Sequence, residues 1–423
     1  MSTFENTLDF ALQLDMSDPL NGFRNKFLVP KKEEEEKIYL LGNSLGLQPR
    51  QTRNYIDTIL QQWHEEGVES FFSAHEPWLK FHDKLVGSLS IITGALPHEI
   101  SVMNQLTVNI HLMLAGFYQP KGKRNKILVE PKAFPSDQYA LKSYIKHIGL
   151  DPDEVIVHIE SQDGSPVFSN EQVLNTIEKH KDELALVFLS GVQYYSGQLF
   201  DMKSITHAAH EIGALVGFDL AHAVGNVELH LHDWEVDFAC WCSYKYLNGG
   251  PGAVGGVFVH EKHHNKGISK LEGWWGVKES ERFLMKDDFI ASPDATSWQL
   301  STPPVLLYAC LLSSLDVFAL AGWKNVLQKQ QKMIAWTDFL LNEVEQDVFQ
   351  RITPSHRGCQ LSLQFKNNGK HVFEQLVKSG FMVDWREPDV IRFAPVPLYN
   401  SYAEIWYFIQ KMKEVVKEVS LSN

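Results

Sequence analysis

Short apolar runs alternate with stretches whose apolar residues recur at helical spacing, and this alternation fills the middle of the chain. The stretch 108–117 has helical spacing, 126–130 reads as a strand, and 137–147 is helical again. Strands at 155–159, 184–189 and 215–219 and helices at 170–180 and 204–212 continue the pattern. The strand runs are almost wholly apolar, so both of their faces must be covered. Such strands alternating with helices predict an α/β fold on a mostly parallel sheet. Ligands of these sheets sit beyond the carboxyl ends of the strands. Phe134, Ser190, Asp219 and Lys245 all fall at or just past predicted strand ends, Lys245 closing an apolar run over 238–244.

The two ends of the chain read differently. Glu33-Glu34-Glu35-Glu36 marks a solvated turn before a short strand at 38–41 and a loop, Asn43-Ser44-Leu45-Gly46-Leu47. After Pro303-Pro304 the spacing is helical to about residue 349. Strands at 360–365 and 390–393 and a closing helix at 402–418 follow.

With 423 residues the chain can bury a large core and form more than one domain. A formal net charge of −13 argues against nucleic-acid and anionic-membrane partners. Helix N-termini can still hold a phosphate without a basic surface. No apolar stretch approaches a membrane span. The segment Met1-Ser2-Thr3-Phe4-Glu5-Asn6 lacks a basic-then-apolar pattern, so no secretory leader is expected. Cys240 and Cys242 have no second close pair to complete a zinc site, so no metal is expected. Reduced thiols in a cytoplasmic protein are the expected state of all four cysteines.

The chemistry concentrates in two segments. Asp219 follows an apolar run, and His222 stands three residues later. Lys245 follows Tyr244 and precedes the turn Asn248-Gly249-Gly250. This pair suits pyridoxal phosphate: a Lys can take its aldehyde as a Schiff base, and an Asp can keep its ring nitrogen protonated. Ordinary alternatives exist, namely a snorkelling Lys, a strand-end cap and a core His. The glycine-rich run 249–256 lacks the Lys-Ser/Thr ending of a P-loop and the spacing of a dinucleotide fingerprint. A turn allowing close backbone approach accounts for it better.

The runs around these residues are more specific than the pair. Phe218-Asp219-Leu220-Ala221-His222-Ala223-Val224-Gly225-Asn226 and Trp241-Cys242-Ser243-Tyr244-Lys245-Tyr246-Leu247-Asn248 resemble the kynureninase family. So do Asn104-Gln105-Leu106-Thr107-Val108-Asn109, Phe134-Pro135-Ser136-Asp137 and Arg392-Phe393-Ala394-Pro395-Val396-Pro397-Leu398-Tyr399-Asn400. The resemblance covers nearly the whole chain. It implies the fold-type-I architecture of pyridoxal-phosphate enzymes, a large domain with a mostly parallel sheet between helices plus a smaller α/β domain. On that basis residues 1–60 contribute to the small domain, 61–310 form the cofactor-binding domain and 311–423 the C-terminal small domain.

The resemblance also assigns roles. Lys245 carries the cofactor and moves protons, Asp219 faces the ring nitrogen with Asp137 in support, and Tyr244 helps relay protons. Leu106 and Thr107 offer a helix N-terminus to the phosphate. Phe134 stacks on the ring, Pro135 and Ser136 belong to the same turn, and Ser190 and His222 lie beside the cofactor. Trp274 and Thr302 reach the phosphate from a partner subunit, which makes the active site a property of a homodimer. Arg392 holds the substrate carboxylate, a role its planar fork suits. Ser44 and Phe71 line the same pocket.

The implied reaction is hydrolysis of L-kynurenine, with 3-hydroxykynurenine as a second substrate, to anthranilate or its 3-hydroxy form and L-alanine. This places the chain in tryptophan breakdown, NAD synthesis, or both. Thr302 stands where animal members carry Asn, and Phe71 near where they place His. The expectation is therefore a preference for the unmodified ring. Two rivals remain. A cysteine desulfurase on the same fold needs a reactive Cys, and Cys359 opens an alternating strand instead. A non-catalytic binding protein of this fold would have no need of both Lys245 and Arg392.

Overall fold

The computed structural model describes residues 4–421, apart from 74, 162–163, 265 and 345–346. Three helices precede the main sheet: α1 (Leu8–Met16), α2 (Thr52–Glu66) and α3 (Phe81–Thr93). The sheet has seven strands: β1 (Ile100–Val102), β2 (Lys126–Val129), β3 (Ile156–His158), β4 (Leu184–Ser190), β5 (Leu215–Asp219), β6 (Phe238–Trp241) and β7 (Gly256–Val259). Their order is β1-β7-β6-β5-β4-β2-β3. Neighbours from β6 through β3 run parallel, while β7 is antiparallel to both β6 and β1.

Alternation along the strands explains why both faces are covered. Val187 and Leu189 enter one apolar cluster, and Leu186 and Phe188 enter the other. The covering helices are α4 (Leu106–Phe117), α5 (Pro135–His147), α6 (Asn170–Lys179) and α7 (Met202–Glu211). Their starts are written locally. Pro135 opens α5, a Ser169–Gln172 capping box opens α6, and Asp201 accepts from Ser204 N at 3.1 Å to open α7.

The run over 238–244 is not one strand. Its ladder stops at Trp241, because the following backbone serves other partners. Gly46 N donates to Tyr244 O at 2.8 Å and Gly249 N to Ser243 O at 2.8 Å. Lys245 therefore sits in a loop beyond the strand. The helical run after Pro304 also differs from expectation. Gly322, at φ +75°, splits it into α8 (Val305–Ala321) and α9 (Trp323–Leu341), and Phe349 begins a strand. No single helix among the described residues is long and apolar enough to cross a membrane; α8 and α9 meet at 79°.

A second sheet is antiparallel, with β8 (Phe349–Arg351), β9 (Leu361–Phe365), β10 (Asp384–Arg386) and β11 (Val390–Phe393) in the order β8-β9-β11-β10. Helices α10 (Gly369–Lys378) and α11 (Tyr402–Leu421) pack with α9 and α1 into a separate core. Ala11, Leu14 and Leu40 join Met333, Trp336 and Phe408 there. The N-terminal segment is pinned by polar bonds as well. Asp15 accepts from Tyr402 N at 2.7 Å and Ala403 N at 3.0 Å, and buried Asp18 pairs with buried Lys329 at 2.7 Å.

Candidate active site

A cavity of about 170 Å³ opens at the carboxyl ends of β2, β4 and β5, as the parallel sheet requires. Glu130, Ser190 and Asp219 reach it from the strand ends themselves. Ala221 and His222 come from the turn after β5, and Tyr244 and Lys245 from the loop after β6. The opposite wall is built by two helix starts. Leu106 and Thr107 begin α4, and Phe134, Ser136 and Asp137 lie at the start of α5. Thr107 Oγ1 and Ser136 Oγ are 2.7 Å apart, so the two helix starts meet. Gln105, the N-cap of α4, supplies no side-chain cap. The first N–H groups of α4 are thus left for an anion.

Lys245 is only 9% exposed. Its Nζ lies 5.9 Å from the centre of the Phe134 ring and 5.7 Å from that of Tyr244. The Asn43–Leu47 loop clamps it from behind. A Cβ on Gly46 would come within 2.4 Å of the Lys245 carbonyl, so only glycine allows this approach. Tyr194 packs edge-on against Phe134, with ring centres 5.2 Å apart.

The electrostatics are unusual for a buried place. Three carboxyl groups, Glu130, Asp137 and Asp219, share the cavity with one lysine. Burial first, then the Asp219 charge, pushes the Asp137 carboxyl well above its ordinary range. Burial also raises Glu130, against the pull of its bonds from Ser190. His222 is pushed well below its usual value by burial and then by the Lys245 charge, so it is neutral. Its Nδ1 and the Asp137 Oδ1 are buried without a hydrogen-bond partner. Asp219 Oδ1 accepts from Ala221 N at 2.8 Å, which fixes the carboxylate.

The remaining expected residues lie elsewhere. Arg392 is 1% exposed on β11, directly across the ladder from Asp384. Its Nε donates to Asp384 Oδ2 at 2.9 Å, Nη2 donates to the same oxygen, and Nη1 donates to the Tyr194 carbonyl. Tyr194 lines the cavity, so the guanidinium stands one residue behind its wall. Ser44 is half-buried in the loop that clamps Lys245. Phe71 packs on Trp78 with ring centres 5.1 Å apart and does not line the cavity. Pro135 opens α5 without lining it. Trp274 is 43% exposed, with Nε1 donating to Arg282 O at 2.9 Å, and Thr302 is exposed.

Residues 329–412 match the model of the kynureninase C-terminal domain. A kynureninase of Flavobacterium johnsoniae is 48% identical over 419 residues, covering 97% of this chain and 99% of that one. The chain belongs to the kynureninase family. A kynureninase of the animal Nematostella vectensis is 44% identical, covering 97% of this chain and 94% of its own. Among solved structures, a cystine C–S lyase bound to cysteine persulfide superposes with a TM-score of 0.75 at 17% identity, over 89% of this chain and 97% of that one. A cysteine desulfurase of Thermococcus onnurineus gives 0.71 at 17% identity, over 99% and 100%. These likenesses show the shared fold.

The cavity of this kynureninase-family chain fits pyridoxal phosphate, the family's cofactor. A buried amine, a carboxylate held in place, an uncapped helix start and an aromatic ring over the amine are its chemical needs. The unpartnered His222 Nδ1 and Asp137 Oδ1 await a polar ligand. Glu130 and Tyr194 were not anticipated as site residues. The strand-end rule that found Ser190 and Asp219 also points to Glu130, which directly follows β2. Tyr194 carried a weaker signal, as an aromatic in the loop after β4.

Proposed function

We propose that the chain hydrolyses L-kynurenine to anthranilate and L-alanine, with pyridoxal phosphate held at Lys245. The observation that carries this reading is the buried Lys245, set beneath the Phe134 ring in a cavity with Asp219 and Asp137. Bound pyridoxal phosphate supplies an electron sink conjugated with the substrate amine. Asp219 keeps the ring nitrogen protonated, with Asp137 beside it. Thr107, Ser136 and the start of α4 hold the phosphate, and Phe134 covers the ring. Lys245 Nζ takes the substrate α-proton and returns it, and Tyr244 hands protons on. One water adds to the γ-carbonyl as the β–γ carbon bond breaks, which balances the products.

Arg392 holds the substrate carboxylate through the N–H groups left after Asp384 and Tyr194 have taken theirs. Ser44, in the loop whose Gly46 packs on Lys245, is assigned to the same pocket. The active form is a cytoplasmic homodimer. The exposure of Trp274 and Thr302 supports their contributing to a partner's site. The division expected is 1–60, 61–310 and 311–423. Ala11, Leu14 and Leu40 in the second core support a contribution of the N-terminal segment to the small domain, while Leu20, Phe27, Tyr39, Leu47, Ile59 and helix α8 pack in the main core. The enzyme serves tryptophan breakdown and can feed NAD synthesis. If Phe71 and Thr302 meet the substrate ring in the assembled dimer, an aromatic wall and a short hydroxyl in place of longer polar side chains favour the unmodified substrate over 3-hydroxykynurenine. The experiment is to incubate the protein and cofactor with each substrate and measure both products. Equimolar anthranilate and alanine, with the larger kcat/KM for L-kynurenine, is the expected result. Sulfide release from cysteine without kynurenine cleavage would replace this reading by a desulfurase.

A further inference from the structure

Arg392 is given to the substrate carboxylate, yet a carboxylate already sits on it. Asp384 lies directly across the ladder between β10 and β11, and its Oδ2 accepts from Arg392 Nε at 2.9 Å and from Nη2. Alone, that contact would cancel most of the positive charge that is to recognise the substrate. The same oxygen has a further donor. Arg386 stands two residues along β10 on the same face, and its Nε donates to Asp384 Oδ2 at 3.1 Å. No other carboxylate forms an ion pair with either arginine among the described residues. Two guanidinium groups therefore share a single carboxylate, and one positive charge is left over. The Arg392 side chain is 1% exposed and that of Arg386 40%. Arg392 Nη1 donates to the carbonyl of Tyr194, which lines the cofactor cavity. After burial, the charges of Lys245, Arg392 and Arg386 all act on His222, so the surplus lies beside that cavity.

We propose that Arg386 is a positioning residue for substrate recognition: by sharing Asp384 it holds that carboxylate at the side of Arg392 and leaves the arginine pair a net positive charge for the substrate carboxylate. Arg392 spends Nε, one N–H of Nη2 and one N–H of Nη1 on the protein. A guanidinium has further N–H groups, and these remain for the substrate. Gripped from the side by Asp384, the planar fork is fixed in orientation. Without Arg386 the substrate carboxylate would approach a neutral Arg392–Asp384 pair and be repelled by Asp384. With Arg386 present, the incoming carboxylate balances the charges of the group. Arg386 acts through Asp384 and Arg392, so its removal is felt in affinity rather than in the bond-breaking steps.

This inference rests on the proposed reaction, and its test separates the two. The cofactor-loaded parent, Arg386→Gln, Arg386→Lys, Asp384→Asn and the double variant Arg386→Gln with Asp384→Asn are assayed with L-kynurenine. Each is also titrated with L-alanine and with L-alaninamide, read by the change in cofactor absorption. Arg386→Gln should raise KM by about fivefold, the upper end for a half-exposed ion pair, with kcat within about twofold of the parent. It should weaken L-alanine to the same degree and leave L-alaninamide, which has no carboxylate, unchanged. Arg386→Lys should recover most of the loss, and added salt should narrow the gap between parent and Arg386→Gln. In the Asp384→Asn background, Arg386→Gln should cause no further loss of that size. Equal losses for alanine and alaninamide, or an unchanged KM, would overturn the role of Arg386, whether or not the Asp384 variants fold. A parent that binds L-alanine but cleaves no kynurenine would overturn the reaction, and the alanine comparison would still decide on Arg386.

Discussion

Two buried acidic centres sit at opposite ends of the central sheet, and they are treated in opposite ways. At the N-terminal edge Asp237 precedes β6. It receives Lys262 at 2.9 Å, His210 at 2.8 Å, His263 at 2.7 Å and Val216 N at 2.7 Å. Burial alone would raise its carboxyl, but the bonds from His210 and His263 and the Lys262 charge hold it well below the ordinary range. At the C-terminal edge Glu130, Asp137 and Asp219 have one lysine among them, and Asp137 and Glu130 are raised. The first centre is complete without a ligand and serves the fold. The second carries raised carboxyls and, among the described residues, buried polar atoms without a partner, as the proposed cofactor site requires.

Removing the one cation of the incomplete centre has the largest expected effect. Lys245→Ala should abolish turnover and the visible absorption of the protein-bound cofactor, read by spectrophotometry. Asp219→Asn should keep the fold but slow turnover by ~10²-fold or more, the scale of a positioned acid or base. Pre-steady-state rates of α-proton exchange would locate the loss. Near-normal rates would make Asp219 an ordinary strand-end cap.

Arg392 belongs to both kinds of centre, since Asp384 already pairs with it. Arg392→Ala should weaken substrate binding by about 2–5 kcal/mol, the scale for removing one partner of a buried charged pair. Lysine should recover part of that loss. A drop in thermal stability with unchanged KM would assign Arg392 to structure alone.

The two aspartates at the sheet ends should respond to pH with opposite signs. The folded-state value of Asp237 lies below the unfolded value of about 3.9, so its stabilisation is complete above that pH. It is lost as the pH falls through the folded value. Asp237→Asn should cost about 3 kcal/mol at neutral pH and flatten the acid limb of denaturant-measured stability, with little change in kcat. Asp137 is raised, so its charge costs stability as the pH climbs from about 3.9 through the folded value. Asp137→Asn should therefore stabilise the apoprotein by about 1 kcal/mol at neutral pH while weakening cofactor uptake. Destabilisation by both substitutions would erase the contrast between the two centres.

The parts legible in the sequence are those that local pattern determines. Strand β5 was read to the residue, and β2, β3 and β4 within one residue at each end, because buried parallel strands are continuous apolar runs. The loop at Lys245 was read as strand because its residues are equally apolar. What ends the ladder is a distant partner, Gly46. Strand β7 begins on the last glycine of the run 249–256 and was not read, and α2 and α3 were not singled out. In the site, Leu106, Thr107, Phe134, Ser136, Asp137, Ser190, Asp219, His222, Tyr244 and Lys245 converge on one cavity, and the motifs around them pointed there. Glu130 was passed over although it directly follows β2 as the strand-end rule requires; its bonds to Ser190, which cross from β2 to β4, leave no mark in local spacing. The occupation of Arg392 by Asp384 and Tyr194 was invisible for the same reason.

The central claim is that the incomplete acidic centre holds pyridoxal phosphate on Lys245. The most direct measurement is borohydride reduction of the cofactor-loaded protein, followed by proteolysis and peptide mass mapping. The account predicts a single phosphopyridoxyl label on the peptide containing Tyr244-Lys245-Tyr246. A label on another lysine, or none after loading, would contradict it.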